Sequence, residues 1–355
     1  MMFASGRRPV VIFRADAGEE IGLGHVVRCL SLARALQNEK VNCLFVSSSG
    51  VPRQLVIEKG FEFIDLHSSH KDPTAELEAL IRTIQRCAPV LVVVDGYFVT
   101  ESYLKAVREC CPVVYLDDIK AFAYPSDVLV NYNVYGPDWK QDYIKNQASF
   151  GTKLLLGPRY APLREEFENL PGHQTAERVQ RVLLSTGGSD SLGIMCRLLK
   201  AIGAMPEWSG IEFHAVVGAL NPYREQIEQM ACGMGNVRVH FQLRQVADLM
   251  CRCDVAVSAA GSTLYELCAC GVPTVTYVLA DNQIPGARAF DRQGLIMMAG
   301  DCRELGTEKK IISQLKRLIA DAELRKQTSR QMQQAVDGKG AWRLAQALLS
   351  FAKAE

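Results

Sequence analysis

Short apolar runs alternate with amphipathic helical patterns along this sequence, and the alternation starts again near the middle. Nothing else in the chain constrains its fold as strongly. The run at 90–94 is four valines and a leucine, so both faces of the strand it predicts must be buried. Such strands, separated by helices, form a parallel sheet covered on both sides. In the first half the expected strands are 10–13, 41–46, 61–66, 90–94, 112–116, 127–130 and 153–156. Helical patterns at 26–37, 51–59, 74–87 and 101–110 lie between the earlier ones. Pro171-Gly172-His173-Gln174-Thr175 is the most linker-like composition. Beyond it, strands at 179–184, 211–217, 237–241, 254–258 and 273–278 alternate with helices, and helical patterns at 308–321, 323–335 and 341–353 end the chain. At 355 residues there is enough chain for two cores. The expected class is α/β, with two Rossmann-like, doubly wound parallel-sheet domains at 1–170 and 171–355 facing a cleft.

The formal net charge of +1 gives no electrostatic footprint for nucleic acid. No apolar run is long enough to span a bilayer. The first nine residues lead directly into a strand, without the apolar segment and cleavage site of a secretory signal, so a cytoplasmic location is expected. Most of the twelve cysteines fall inside strand and helix patterns, as small reduced thiols do. Cys251-x-Cys253 and Cys268-x-Cys270 are too closely spaced for a zinc ribbon, and no metal is expected.

In open parallel sheets, ligands gather beyond the carboxyl ends of the strands. Three polar clusters of the first half fall there. The first is Arg14-Ala15-Asp16, which leads through Gly22 and Gly24 to His25 at the mouth of a helix. Gly22 and Gly24 permit close backbone approach to a ligand, and a helix N-terminus favours an anion. The same terminus disfavours a protonated imidazole, so His25 is either a general base, with Asp16 able to orient its second nitrogen, or a cap on a tight turn. Asp95-Gly96-Tyr97 follows the buried 90–94 strand, and Asp117-Asp118 follows the next. These aspartates either line the rim of a site or cap their own turns. No third glycine follows Gly24 at the dinucleotide spacing, so no dinucleotide cofactor is expected.

The second half carries two comparable turns. Gly187-Gly188-Ser189 and Gly261-Ser262-Thr263 each open a helix, and neither is followed by a phosphate-loop lysine. Backbone N–H groups and hydroxyls at such turns cradle phosphate without it. Glu266 either accepts the hydroxyls of a ribose or closes a capping box with Thr263.

Taken in order, these residues resemble a known family. Arg14-x-Asp16, Ile21-Gly22-x-Gly24-His25 and Arg28-Cys29-Leu30 look like the opening motif of bacterial hydrolases acting on UDP-2,4-diacetamido-2,4,6-trideoxy-β-L-altropyranose, in the pathway to pseudaminic acid. Asp95-x-Tyr97, Asp117-Asp118, Gly187-Gly188-Ser189-Asp190, Gly261-Ser262-Thr263-x-x-Glu266 and Asp281-Asn282-Gln283 extend the resemblance over nearly the whole chain. Related spore-coat polysaccharide proteins and two-Rossmann glycosyltransferases of the peptidoglycan type are similar more distantly.

The resemblance implies a GT-B fold with UDP held mainly by the second domain. Its substrate would be a UDP-linked amino sugar, with no cofactor. His25 would activate water against the anomeric carbon, Tyr97 would stand near the sugar and Asn282 near the reacting end, and Gln283 would be a further substrate contact. Arg14, Asp16, Gly22, Gly24 and Asp95 would complete the sugar side. Gly187, Gly188, Ser189, Gly261, Ser262, Thr263 and Glu266 would form the nucleotide side. Two positions depart from the family pattern. Gly96 stands where a histidine is common, and Lys120 where an arginine is frequent. Two other activities remain compatible with these residues: transfer to an acceptor hydroxyl, or nucleotide-sugar binding without turnover in an envelope or coat assembly. The sequence carries no signal for an oligomeric state.

Overall fold

The computed structural model describes residues 8–353 apart from 19, 20, 189, 219, 242 and 244. Ser189, expected at the nucleotide side, lies outside the described residues. The chain divides into two compact units. One comprises residues up to Glu165 together with Lys339–Glu355, and the other is Glu166–Gly338.

The first unit holds strands β1 (Val10–Ala15), β2 (Asn42–Ser47), β3 (Glu62–Asp65), β4 (Leu91–Asp95), β5 (Val113–Leu116), β6 (Val128–Asn131) and β7 (Lys153–Leu156). Its helices are α1 (Gly24–Asn38), α2 (Arg53–Glu58), α3 (Pro73–Cys87), α4 (Glu101–Arg108) and α5 (Lys140–Asn146). The strands are all parallel, in the order β3-β2-β1-β4-β5-β6-β7. Side chains alternate across the sheet, so β1 serves two cores. Val11 and Phe13 pack beneath α1, whereas Ile12 packs with Leu80 and Ile84 of α3 and Leu104 of α4. Local chemistry starts the helices where the sequence indicates. Asp72 accepts from the Ala75 N–H at 3.2 Å ahead of Pro73, and Thr100 accepts from the Tyr103 N–H at 3.2 Å.

The second unit holds β8 (Arg181–Ser185), β9 (Glu212–Val217), β10 (Val237–Phe241), β11 (Val255–Ala259), β12 (Thr274–Val278) and β13 (Met297–Asp301). Helices α6 (Ile194–Gly203), α7 (Arg224–Cys232), α8 (Ala247–Cys251), α9 (Thr263–Cys270), α10 (Ile284–Arg292), α11 (Thr307–Ala320) and α12 (Ala322–Ala335) accompany them. The order is β10-β9-β8-β11-β12-β13, again parallel throughout. Each sheet therefore reverses its winding at one place, between β1 and β4 in the first unit and between β8 and β11 in the second. Those reversals are where doubly wound sheets open a crevice for ligands.

Two features correct the sequence reading. The last helix, α13 (Gly340–Ala352), expected in the second domain, belongs to the first unit. Its apolar stripe of Leu344, Ala345, Leu348 and Leu349 is buried in the same core as Leu30, Ala33 and Leu36 of α1. Strand β13 was not expected. It is a short edge strand interrupted by a register shift opposite Thr276 and Tyr277, and Gly300 within it removes most of the periodic signal.

Candidate active site

At the reversal of the first sheet, Ala15 of β1 is paired with Asp95 of β4, so the two chains leave the sheet side by side. Beyond β1 the backbone closes on itself through Gly18 and Gly22, whose N–H groups donate to each other's carbonyls at 3.2 and 2.7 Å. Gly22 has a φ of +70°, which an L side chain rarely adopts. Two residues later α1 begins, and His25 is buried in its first turn.

His25 Nδ1 lies 2.6 Å from Asp95 Oδ1. Burial alone would raise the Asp95 pKa, but Arg28, and then His25, outweigh it and hold the carboxyl well below its ordinary range. An ionised carboxylate only accepts, so Nδ1 carries the hydrogen. This assigns the tautomer from the hydrogen-bond network. In the neutral ring Nε2 then bears the lone pair. Nε2 has no protein partner among the described residues, and the ring lines a pocket.

Arg28, one turn further along α1, secures the pair. Its Nε and Nη2 donate to the two Asp95 oxygens at 2.5 Å each. Its Nη1 donates to Asp118 Oδ2 at 2.7 Å and to the Tyr132 hydroxyl at 3.0 Å. Arg28 Nη2 is also 3.1 Å from His25 Nδ1. Both nitrogens carry hydrogen, so the contact reflects their shared acceptor, Asp95 Oδ1. Burial alone would lower the guanidinium pKa, whereas the facing Asp118 and Asp95 carboxylates raise it well above its usual value. With a neutral His25, the two carboxylates and one guanidinium leave this cluster one negative charge in excess.

The Tyr97 ring meets the imidazole edge to face, with centroids 4.6 Å apart. Its hydroxyl donates to Asp118 Oδ2 at 3.2 Å, and burial, reinforced by that carboxylate, raises its pKa. Asn133 donates to the other Asp118 oxygen at 2.8 Å. The neighbouring Asp117 points elsewhere. It accepts from the Tyr124 hydroxyl at 2.8 Å, from the Tyr143 hydroxyl, and from the Ile119 and Lys120 N–H groups. The two aspartates thus divide the expected roles, Asp117 capping its own turn and Asp118 facing the site. Protein donors occupy the oxygens of both. Among the described residues, no group of three or more His, Cys, Asp and Glu side chains is arranged to hold a metal ion.

Asp16 does not orient His25. It is turned toward β2, where its Oδ1 accepts from the Ser47 hydroxyl at 2.9 Å and from the Ser48 N–H and hydroxyl at 2.8 Å. Its Oδ2 accepts from Arg14 Nη1 at 2.6 Å. Arg14 is buried and forks onto Glu76 through Nε at 2.5 Å and Nη2 at 2.8 Å. The Tyr103 hydroxyl donates to the same carboxylate at 2.7 Å. Arg14 and Asp16 both line the pocket while bracing β1 against α3 and α4.

In the second unit, the glycine turns follow β8 and β11, the strands that flank its reversal. Gly187 has a φ of +76°, and both Gly187 and Gly188 are exposed. Asp190 is buried and accepts from the Ile194 and Met195 N–H groups at 2.7 and 3.0 Å, so it caps α6. Gly261 and Ser262 are exposed ahead of α9. Thr263 is already the first residue of that helix, and Ser262 makes no side-chain cap. Thr263 is thus not at the N-cap position that a capping box with Glu266 needs, and Glu266 is half-buried on the first turn. After β12, Gln283 turns back to accept from the Leu279 N–H at 2.8 Å, whereas Asn282 is exposed.

Sequence reasoning left Arg28, Glu76, Tyr103 and Tyr132 out of the site. Arg28 had a readable signal, since it is one helical turn from His25. Glu76 had one too, because it shares the buried face of α3 with Leu80, Thr83 and Ile84.

No protein-family model matches the chain. Over 340 residues it is 26% identical to the spore coat polysaccharide biosynthesis protein SpsG of Bacillus subtilis, covering 93% of this chain and 95% of that protein. Over 259 residues it is 25% identical to the UDP-2,4-diacetamido-2,4,6-trideoxy-beta-L-altropyranose hydrolase of Campylobacter jejuni, covering 72% of this chain and 86% of that one. Both are distant relatives. Among solved structures, MurG of Acinetobacter baumannii aligns with a TM-score of 0.68 at 13% identity, over 97% of this chain and 100% of the other. The fold is GT-B. The two sheets, of seven and six parallel strands, are the two domains of the GT-B architecture, and the His25 cluster sits at the reversal of the first. No helix among the described residues is long and apolar enough to cross a membrane.

Proposed function

We propose that this protein hydrolyses a UDP-linked amino sugar. The observation that carries the reading is the Asp95-oriented His25, whose Nε2 has no protein partner among the described residues and whose ring lines a pocket. Water is a poor nucleophile at neutral pH and gains from a positioned base. Its oxygen forms a bond to the anomeric carbon while His25 Nε2 takes its proton. The bond from that carbon to the diphosphate oxygen breaks, and the electron pair leaves with UDP. The products are the free sugar and UDP. Asp95 stabilises the imidazolium as it forms.

The glycine turns after β8 and β11 are the proposed diphosphate ligands, with Glu266 on the ribose. Backbone N–H groups at helix starts stabilise a departing diphosphate without a metal. The similarity to a protein named as a UDP-sugar hydrolase supports the substrate class. The similarity to SpsG supports a place in polysaccharide biosynthesis.

Glycosyl transfer is the second reading, and the GT-B fold favours it. In that case Nε2 deprotonates an acceptor hydroxyl. Incubation with a panel of UDP-linked monoamino and diamino sugars, with no acceptor added, distinguishes the two. Stoichiometric UDP and free sugar are expected. UDP release that requires an added acceptor would replace hydrolysis by transfer.

A further inference from the structure

Cys251-x-Cys253 and Cys268-x-Cys270, too closely spaced for a zinc ribbon, are regrouped by the fold. Cys251 ends α8 and Cys270 ends α9, two helices that pack on each other. Their side chains meet, the Cys270 thiol donating to the Cys251 sulfur. Cys253 and Cys268 are fully buried, and burial pushes both thiols up.

The two partners differ in the way that thiol oxidation requires. Cys251 is half-buried, whereas Cys270 is 1% exposed. The hydrogen bond from Cys270 outweighs burial and the nearby Asp248, and lowers the Cys251 pKa. The same bond, with burial behind it, raises that of Cys270. A more accessible thiol with thiolate character beside a protonated partner is the arrangement of an attacking and a resolving cysteine.

We propose that Cys251 and Cys270 are a modification site, oxidised by a hydroperoxide to a disulfide that weakens nucleotide binding. The Cys251 thiolate attacks one peroxide oxygen. The O–O bond breaks, and the leaving hydroxide takes up a proton to become water. Cys251 is then a sulfenic acid, oxidised by two electrons. The Cys270 sulfur attacks the Cys251 sulfur, the S–O bond breaks, and the hydroxyl leaves with the Cys270 proton as a second water. Two thiols and one hydrogen peroxide thus give one disulfide and two waters.

The effect on binding rests on the nucleotide-sugar reading above. Helix α9 has eight residues, follows the Gly261-Ser262 turn, and carries Glu266 one helical turn before Cys270 on the same face. Glu266 is close enough to contribute to the raised Cys270 pKa. A disulfide brings its sulfurs to about 2 Å, nearer than any thiol hydrogen bond. Closing it draws this end of α9 against α8 and moves Glu266 with it.

The test treats the full chain with hydrogen peroxide, maps its cysteines by mass spectrometry, and titrates UDP by calorimetry before and after. A Cys251–Cys270 cross-link, lighter by two hydrogens and reversed by dithiothreitol, is expected. UDP affinity should fall about tenfold, the loss of one charge-assisted hydrogen bond. The thermal midpoint should rise, because the unfolded chain is cross-linked. Cys251→Ser should form no cross-link and keep its UDP affinity through the treatment. Oxidation of the exposed Cys110 and Cys232 without a Cys251–Cys270 cross-link overturns the site. The cross-link with unchanged UDP affinity, or a loss of affinity that persists in Cys251→Ser, overturns its effect on binding. Absence of UDP binding in the reduced protein removes the nucleotide-sugar reading and that effect with it, while the cross-link map judges the modification site by itself.

Discussion

Asp95, the last residue of β4, holds His25 through a 2.6 Å contact that spans 70 residues of sequence. The contact exists because β1 and β4 are neighbours at the reversal of the sheet. It has two chemical consequences. The hydrogen is kept on Nδ1, and a buried negative charge is placed where imidazolium forms.

Asp95→Asn tests that relationship. The amide retains shape but loses charge, and its NH₂ faces Arg28 or His25 with a donor where an acceptor stood. Turnover should fall by about 10²–10⁴-fold, the range of general-base assistance. Stability should fall by ~3–5 kcal/mol, because Arg28 is left buried with one carboxylate fewer. Near-normal turnover in a folded variant would detach Asp95 from the base.

Acid stability follows from the same chemistry with a definite sign. Burial alone would raise the Asp16 pKa, but Arg14 and the Ser48 hydrogen bonds lower it below its ordinary value. Asp95 is lowered as well. Below the ordinary carboxylate range the unfolded chain binds protons that the folded chain refuses, so folding weakens as pH falls. The stabilisation should be complete above about pH 5 and be lost progressively below about 3.9. Asp16→Asn should be less stable at pH 7 and show a shallower acid slope in urea titrations. Equal slopes would mean that Asp16 does not carry its depressed pKa into stability.

Gly218, just after β9, has a bearing on the nucleotide side. A Cβ there would press on the Gly188 carbonyl and stand 2.5 Å from the Gly187 oxygen. Gly218→Ala should displace the turn after β8, cost ~1–3 kcal/mol of stability as overpacking does, and weaken UDP binding. UDP affinity equal to that of the unaltered protein would place the diphosphate elsewhere.

Glu266→Ala should weaken UDP binding by ~1–3 kcal/mol if its carboxylate accepts the ribose hydroxyls. A 2′-deoxyribose nucleotide, which keeps only the 3′ hydroxyl, should lose less affinity than UDP on the same change. Loss of thermal stability with unchanged UDP titration would return Glu266 to a structural role.

Much of this was legible beforehand. The period of the apolar runs indicated parallel sheets, and the glycines marked the turns at their carboxyl ends. His25 and Asp95 both stood out as strand-end polar residues. Which acid holds the histidine was not legible. Asp16 is near in sequence, but strand order decides the pairing, and local patterns do not encode strand order. The same holds for Arg14 and Glu76, joined across 62 residues. Asp117 and Asp118 look equivalent as letters, yet only Asp118 faces Arg28. The return of α13 to the first unit is a long-range packing choice between two apolar surfaces.

The most direct measurement is turnover, UDP affinity and thermal midpoint on a single sample of His25→Asn. With His25 as the base, turnover should drop by about 10²–10⁴-fold, while UDP affinity, assigned to the second unit, stays nearly unchanged and the protein remains folded. Near-normal UDP release from the folded variant would remove His25 from the chemistry and contradict the central claim.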